Sequence, residues 1–462
     1  MIHKFYLNGC YLVLDVNSGA VHLVDKLLYD LLDYLEPAFS QQQFEEAVAA
    51  LSGMYTREEL EDGRQDILEL YEMGQLFSQD DYQPLLEQMT SSPVKALCLH
   101  VAHDCNLRCQ YCFASTGDFG GGRLLMPLEV GKKALDFLVA NSGSRHNLEV
   151  DFFGGEPLMN FEVVKALVAY GRELEKIHNK TFRFTITTNG VLLDEEKMAF
   201  INQEMSNVVL SIDGRKEVND RMRPCINGSG SYDVILPKFR RMVELREHRQ
   251  YYVRGTFTKY NLDFSKDVEH LNRVGFDQIS VEPVVSDPQY PYALTEEDLP
   301  AIFQEYERLA NRILEERRKG NWYNFFHFMI DLDQGPCAIK RLRGCGSGNE
   351  YVAITPDGDI YPCHQFVGNE AWKMGNVMDG SFNREMKNSF ACTNIYTKED
   401  CKDCWAKFYC SGGCSANSVN FTGDIRKSHR LSCEMEKKRV ECAIMIRAVE
   451  SEEAAHEPAA IG

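Results

Sequence analysis

In the stretch HDCNLRCQYCFAS, residues 103–115, three cysteines, Cys105, Cys109 and Cys112, fall at positions i, i+4 and i+7. Thiolates are soft donors, suited to iron-sulfur clusters and to zinc. A structural zinc site or an iron-sulfur cube normally takes four protein ligands, and this motif supplies three. Whatever binds there keeps one coordination position open, and a zinc site with three thiolates meets the same count. The spacing would also suit a buried stripe on one helix face, since free Cys packs as a small hydrophobe, but Asn106, Arg108 and Gln110 crowd the stretch with polar side chains.

A second cysteine group lies further along. Ten of the sixteen cysteines fall from Cys337 to Cys442. Cys345 and Cys363 flank YVAITPDGDIYP, a hairpin pattern whose PDG turn folds the two thiols back toward one another. Cys401 and Cys404 form a CxxC pair, and Cys410, Cys414 and Cys433 follow after gaps of five, three and many residues. A CxxC pair alone often holds structural zinc, but seven cysteines in this order exceed one zinc site. Cys10, Cys98, Cys225, Cys392 and Cys442 belong to no motif and read as buried or free thiols.

These motifs need elements to hold them. From Val94 onward, strand-like runs (VKALCLHV, LEVDFFGG, FRFTITTNG, NVVLSIDG, YYVRGTFTK, QISVEPVV) alternate with helical stretches starting at Pro127, Phe161, Asp194, Tyr232, Leu262 and Thr295. Strand followed by helix predicts a parallel sheet wrapped by helices. Six such units are too few for an eightfold barrel, so the reading is α/β, an open partial (β/α)6 barrel with its chemistry at the strands' carboxyl ends. The first cysteine motif follows the first strand. Residues 1–85 read as a separate winged-helix-like module, with strands broken by NG and NSG turns and three helices, Ser40 and Thr56 opening two of them. The expected boundaries are 1–85, a barrel at 93–325, a cysteine-rich domain at 336–450 and a frayed tail at 451–462.

Charge narrows the partners. The formal net charge is −19, and the first 90 residues hold four Lys or Arg against seventeen Asp or Glu. Phosphate recognition needs the opposite sign, which excludes nucleic acid. A small sheet with free edges can instead accept an added strand from a peptide, or can simply pack or dimerise. The opening MIHKFYLNGCYLVLD lacks the layout of a secretion signal, and no apolar run reaches the roughly 20 residues of a membrane span. The expectation is a cytoplasmic protein in a reducing compartment, with cysteines used for metal or redox chemistry and not disulfides.

CxxxCxxC with Tyr111 directly before the third cysteine resembles the radical SAM superfamily, over residues 94 to about 320. The resemblance implies a TIM-like barrel in which Cys105, Cys109 and Cys112 hold a 4Fe-4S cluster. Its fourth position is taken by S-adenosyl-L-methionine (SAM), cleaved after an electron arrives from a low-potential donor. The resulting 5'-deoxyadenosyl radical takes hydrogen from an unactivated carbon. It also implies SAM contacts at Tyr111 and in GGEP, where Gly154 and Gly155 admit the ligand and Glu156 accepts from its ammonium. SIDG supplies Ser211, with Asp213 second, for the ribose, and Arg223 in RMRP pairs with the carboxylate.

The second cysteine group resembles the SPASM extension of radical SAM enzymes that modify peptides. By that resemblance Cys401, Cys404, Cys410 and Cys433 close one auxiliary 4Fe-4S cluster, while Cys345, Cys363 and Cys414 hold another, for three clusters in all. The latter is completed by a further residue or left open; Cys337 is a poor fit by spacing, and the open site is expected. Along its full length the chain is similar to thioether-forming maturases of the SCIFF peptides, of the ranthipeptide and sactipeptide class. That implies an N-terminal domain gripping the leader of a Cys-rich precursor, and thioether closure by a substrate thiolate bound to the open cluster. The alternatives are a sulfatase-type formylglycine-generating maturase, whose pattern has Asp where this chain has His364, and a non-catalytic electron carrier with several clusters.

Overall fold

A computed structural model describes residues 1–87, 91–330, 332 and 338–456. The first strands, β1 (Ile2–Leu7), β2 (Cys10–Asp15) and β3 (Val21–Val24), form an antiparallel sheet in that order. Asn8 and Gly9 turn the first hairpin with φ of 52° and 88°, the positive values that a tight NG turn demands. Helices Lys26–Leu31, Gln41–Leu51 and Arg57–Glu72 follow, the last two opened by reciprocal capping boxes, Ser40 with Gln43 and Thr56 with Glu59.

Side chains alternate across a strand, and here both faces are buried. Val13 packs into a small core with Leu31, Phe44, Leu60 and Ile67. Phe5, Leu7, Leu12 and Leu14, on the other face, join the main core of the molecule. The N-terminal sheet is therefore a wall shared by two cores.

The barrel contains six parallel strands whose spatial order is their chain order: β4 (Ala96–His103), β5 (Asn147–Gly154), β6 (Thr181–Thr188), β7 (Met205–Ser211), β8 (Tyr251–Phe257) and β9 (Gln278–Pro283). The outward-facing Leu97, Leu99 and Val101 of β4 bury against helices such as Leu128–Asn141 and Phe161–His178. Helices begin close to where the sequence places them: Pro127 and Asp194 are N-caps, and Thr295 caps the turn before Leu299–Arg318. The fifth is displaced, since a short turn at Lys259–Asn261 precedes the helix Ser265–Arg273.

The cysteine-rich region is joined to this sheet. Its hairpin, β10 (Tyr351–Ile354) and β11 (Asp359–Tyr361), lays β10 parallel to β4, with Tyr351 opposite Ala96 and Ile354 opposite Leu99. The parallel sheet thus continues past the barrel's first strand into the region expected at 336–450. The C-terminal helix, Arg430–His456, packs along Leu299–Arg318 and touches β1 and β3. Residues 451–456 of the expected tail are helical. Cys337 and residues 457–462 lie outside the described residues. Among the described residues no helix is long and apolar enough to cross a membrane.

Candidate cluster and cosubstrate site

The three-cysteine loop leaves β4 at its carboxyl end and is stitched to a second segment. Leu107 bridges Cys225, Arg108 N donates to Pro224 O at 2.8 Å, and Gln110 N donates to Met222 O at 2.9 Å. The polar residues of the motif have local work: Arg108 Nη1 donates to the carbonyls of Cys105 and Leu107, and Gln110 Nε2 to that of Arg221. Leu107 N approaches Cys105 Sγ at 3.4 Å, and Asn189 Nδ2 approaches it at 3.6 Å. Burial pushes the Cys105 thiol up to about 11 and that of Cys109 to about 12. The protein alone therefore disfavours the thiolates, and a bound metal deprotonates such thiols outright.

All three cysteines line one cavity of about 540 Å3, together with Tyr111, Gly154, Gly155, Glu156, Ser211 and Arg223. The glycines are required by the loop itself. A Cβ on Gly154 would lie 2.2 Å from Ala102 O, and one on Gly155 would lie 2.2 Å from Asp104 O. Glu156 is buried and accepts from Leu158 N at 3.0 Å, Thr188 Oγ1 at 2.8 Å and Asn189 N at 2.8 Å. Burial outweighs these bonds and raises its carboxyl to about 7. A neighbouring ammonium would favour the ionised form.

Arg223 donates through Nη1 to the Tyr111 hydroxyl at 2.9 Å, while its buried Nε has no partner. An orphaned guanidinium N–H at a cavity wall suits a carboxylate ligand. Asp213 departs from its sequence-based assignment. It is fully buried, does not line the cavity, and accepts from Tyr111 and from Thr256 N. Its place is behind the site, where it holds Tyr111.

Cys410, Cys414 and Cys433 line the same cavity. An adjoining cavity of about 620 Å3 is lined by Cys401, Cys404, Cys410 and Cys433. Electrostatic coupling sorts the thiols. Beyond burial, Cys410 is raised by Glu436 and then by Cys433, Cys401 and Cys404, whereas Cys363 is raised by Cys414 and Cys345. Among the described residues no three such donors converge on a single-ion site. A cube spreads its ligands over several irons, so thiols arrayed around a cavity are the donor set that it takes.

Sequence reasoning missed several cavity residues. Asn189, in the TTNG turn after β6, donates to Asn106 Oδ1 at 2.7 Å as well as approaching Cys105. His364 packs between Phe113 and Phe153, with Nδ1 3.4 Å from the Tyr351 hydroxyl. Arg254, Glu282, His327, Glu436 and Arg439 also line the cavity, brought together from four segments of the chain.

Comparison with known proteins bears on this geometry. Residues 99–254 match the model of the Radical SAM superfamily, and residues 345–405 match that of SPASM, an iron-sulfur cluster-binding domain. The chain is 25% identical over 345 residues to a cysteine-type anaerobic sulfatase-maturating enzyme of Clostridium novyi (strain NT), covering 68% of this chain and 86% of the relative. Of solved structures, anSMEcpe with bound AdoMet superposes with a TM-score of 0.64 at 21% identity, over 78% of this chain and 96% of its own. Streptococcus suis SuiB bound to precursor peptide SuiA gives a TM-score of 0.53 at 16% identity, over 91% and 96%. At such identities the structural likeness establishes the fold. The cysteine loop thus sits at the mouth of a six-stranded parallel barrel with the later thiols beside it, where residues 99–254 match a radical SAM domain and residues 345–405 a SPASM iron-sulfur domain.

Proposed function

We propose that this enzyme installs Cys-derived thioether cross-links in a ribosomally made, Cys-rich precursor peptide. The observation that carries the reading is the single cavity running from Cys105, Cys109 and Cys112 past Glu156, Ser211 and Arg223 to Cys414. A substrate carbon and a substrate thiol can be held in one chamber. When bound, the first cluster and SAM supply the 5'-deoxyadenosyl radical that removes hydrogen from the carbon. Arg223 and Glu156 would orient the carboxylate and ammonium of SAM, Ser211 its ribose, and Tyr111, backed by Asp213, would hold Arg223. Cys401, Cys404, Cys410 and Cys433 would hold one auxiliary cluster. Cys345, Cys363 and Cys414 would hold the other, with a position left for the substrate thiol, whose ligation removes the need for a protein base.

The N-terminal sheet would grip the leader by strand addition, since β3 pairs only with β2 among the described residues. The likeness to SuiB, whose structure holds a precursor peptide, spans 91% of this chain. A formylglycine-generating activity is favoured by the sulfatase-maturating relative, but that relative covers 68% of the chain, and His364 replaces the Asp of that pattern. Mass spectrometry after anaerobic turnover with the Cys-rich peptide encoded beside the gene separates the two. Loss of a hydrogen pair with one fewer alkylatable thiol supports the thioether, and a hydrazide-reactive aldehyde overturns it.

A further inference from the structure

One wall of the cavity is used by neither the cysteine motifs nor the SAM contacts. On it Arg254 of β8 and Glu282 of β9 meet Glu436 and Arg439 of the C-terminal helix, with His327 between them. Register explains the first pair: Arg254 lies opposite Ser280 and Thr256 opposite Glu282, so all four face the same side of the sheet. Helical spacing explains the second, because Cys433, Glu436 and Arg439 recur every three residues on one face.

Arg254 donates to both oxygens of Glu282, from Nε at 3.2 Å, and Arg439 pairs with Glu436. Arg439 Nη1 also donates to His327 Nδ1 at 3.1 Å. A guanidinium has no acceptor, so Nδ1 carries no proton, and Nε2–H is left to donate to Ser280 Oγ at 3.2 Å. The imidazole is neutral, held so by burial and by Arg439. Two donors remain unused: Arg439 Nε is buried without a partner, and Arg254 Nη1 has none among the described residues.

The wall's charges cancel, two guanidinium groups against two carboxylates. A ligand with a net charge would leave that charge uncompensated in a partly desolvated chamber. Neutral amide units fit better, since they present carbonyl acceptors to the arginines and N–H donors to the glutamates. We propose that this wall binds the main chain of the substrate peptide beside the reacting residue, its carbonyl oxygens accepting from Arg254 Nη1 and Arg439 Nε. The assignment rests on the peptide-modifying reading above and deepens it: the barrel and the helix that bears Cys433 jointly fix the backbone, and with it the carbon that faces the radical. Recognition through the backbone leaves the neighbouring side chains free to vary.

The test uses the anaerobically reconstituted holoenzyme and the synthetic Cys-rich precursor encoded beside the gene. It reads KM for the peptide and the number of cross-links per 5'-deoxyadenosine released. Arg254→Gln and Arg439→Gln should each raise KM about tenfold, the scale of one lost charge-assisted hydrogen bond, and lower the cross-link yield. Arg254→Lys, which keeps the charge and a donor, should recover part of the KM. A peptide whose amide next to the reacting residue is replaced by an ester, a weaker acceptor without the N–H, should raise KM for the wild type and raise it less for Arg254→Gln. Wild-type KM and yield in both Gln variants, or an ester effect that adds in full to the variant effect, would overturn the proposal. If a Gln variant loses iron, the ester peptide on the wild-type enzyme decides, and an unchanged KM rejects the wall. If the precursor fails to stimulate 5'-deoxyadenosine release by the wild type, the peptide reading itself falls and takes this one with it.

Discussion

The Tyr111 hydroxyl donates to Asp213, 2.8 Å from each carboxylate oxygen, and accepts from Arg223 Nη1 at 2.9 Å. A residue of the cysteine loop thereby joins the ends of β7 and of the segment after it, so the loop and the proposed SAM carboxylate contact are fixed together. Burial raises Asp213 to about 6 even with Arg223 and Tyr111 pulling the other way.

Tyr111→Phe removes the acceptor of Arg223 and leaves more of a buried guanidinium unpaired. Affinity for SAM should fall by about ten- to a hundredfold, the equivalent of about 1.5–3 kcal/mol for a hydrogen bond to a charged group. Equilibrium binding of SAM to the reconstituted protein measures this, and wild-type affinity would show that the triad does not position Arg223.

Asn189→Ala deletes the amide N–H that approaches Cys105 Sγ. Hydrogen bonds to cluster sulfurs raise reduction potential, so the variant's first cluster should become harder to reduce. A redox titration followed by electron paramagnetic resonance should show the midpoint move to more negative values while iron content stays the same.

Reconstituted wild-type protein should carry about twelve irons, four for each of three clusters, and Cys404→Ala about eight. Cys109→Ala should retain the auxiliary irons and lose 5'-deoxyadenosine production. A wild-type count near four, measured by colorimetric iron assay, would remove both auxiliary assignments.

The His327 imidazole is pushed down to about 3, by burial first and by Arg439 next. The folded state thus binds fewer protons than the unfolded one between about pH 3 and 6.5, and stability falls as pH drops through that window. At pH 5 the loss is about 2 kcal/mol at most, because the ring lines a cavity that water can enter. Chemical denaturation from pH 7 to 5 should show a steeper loss for the wild type than for His327→Gln.

His3 of β1 stacks on Trp405 with centroids 3.7 Å apart and bonds to Glu441 at 3.0 Å. Trp405 follows Cys404 directly, and Lys407 is held by Asp80 at 2.7 Å. His3→Ala should therefore lower iron retention by the Cys401, Cys404, Cys410 and Cys433 set, read as faster iron loss to a chelator, even though the N-terminal sheet supplies no ligand.

The spacing of Cys105, Cys109 and Cys112, the GGEP and SIDG turns and the six strand-helix units are local patterns, so the chain alone determined the barrel and the mouth at which its chemistry sits. Capping boxes at Ser40 and Thr56 and the NG turn at Asn8 were legible for the same reason, since each is completed within a few residues. What only the tertiary structure decided depends on groups far apart in sequence. The pairing of β10 with β4 joins the two cysteine groups, and Asp213 lies behind Tyr111 and not at the cavity wall. The Arg254, Glu282, His327 and Arg439 wall is assembled from segments that share no motif. Charged residues scattered along a chain carry no spacing signal; packing of the barrel against the last helix gives them one another as partners, because burial makes an unpaired charge too costly.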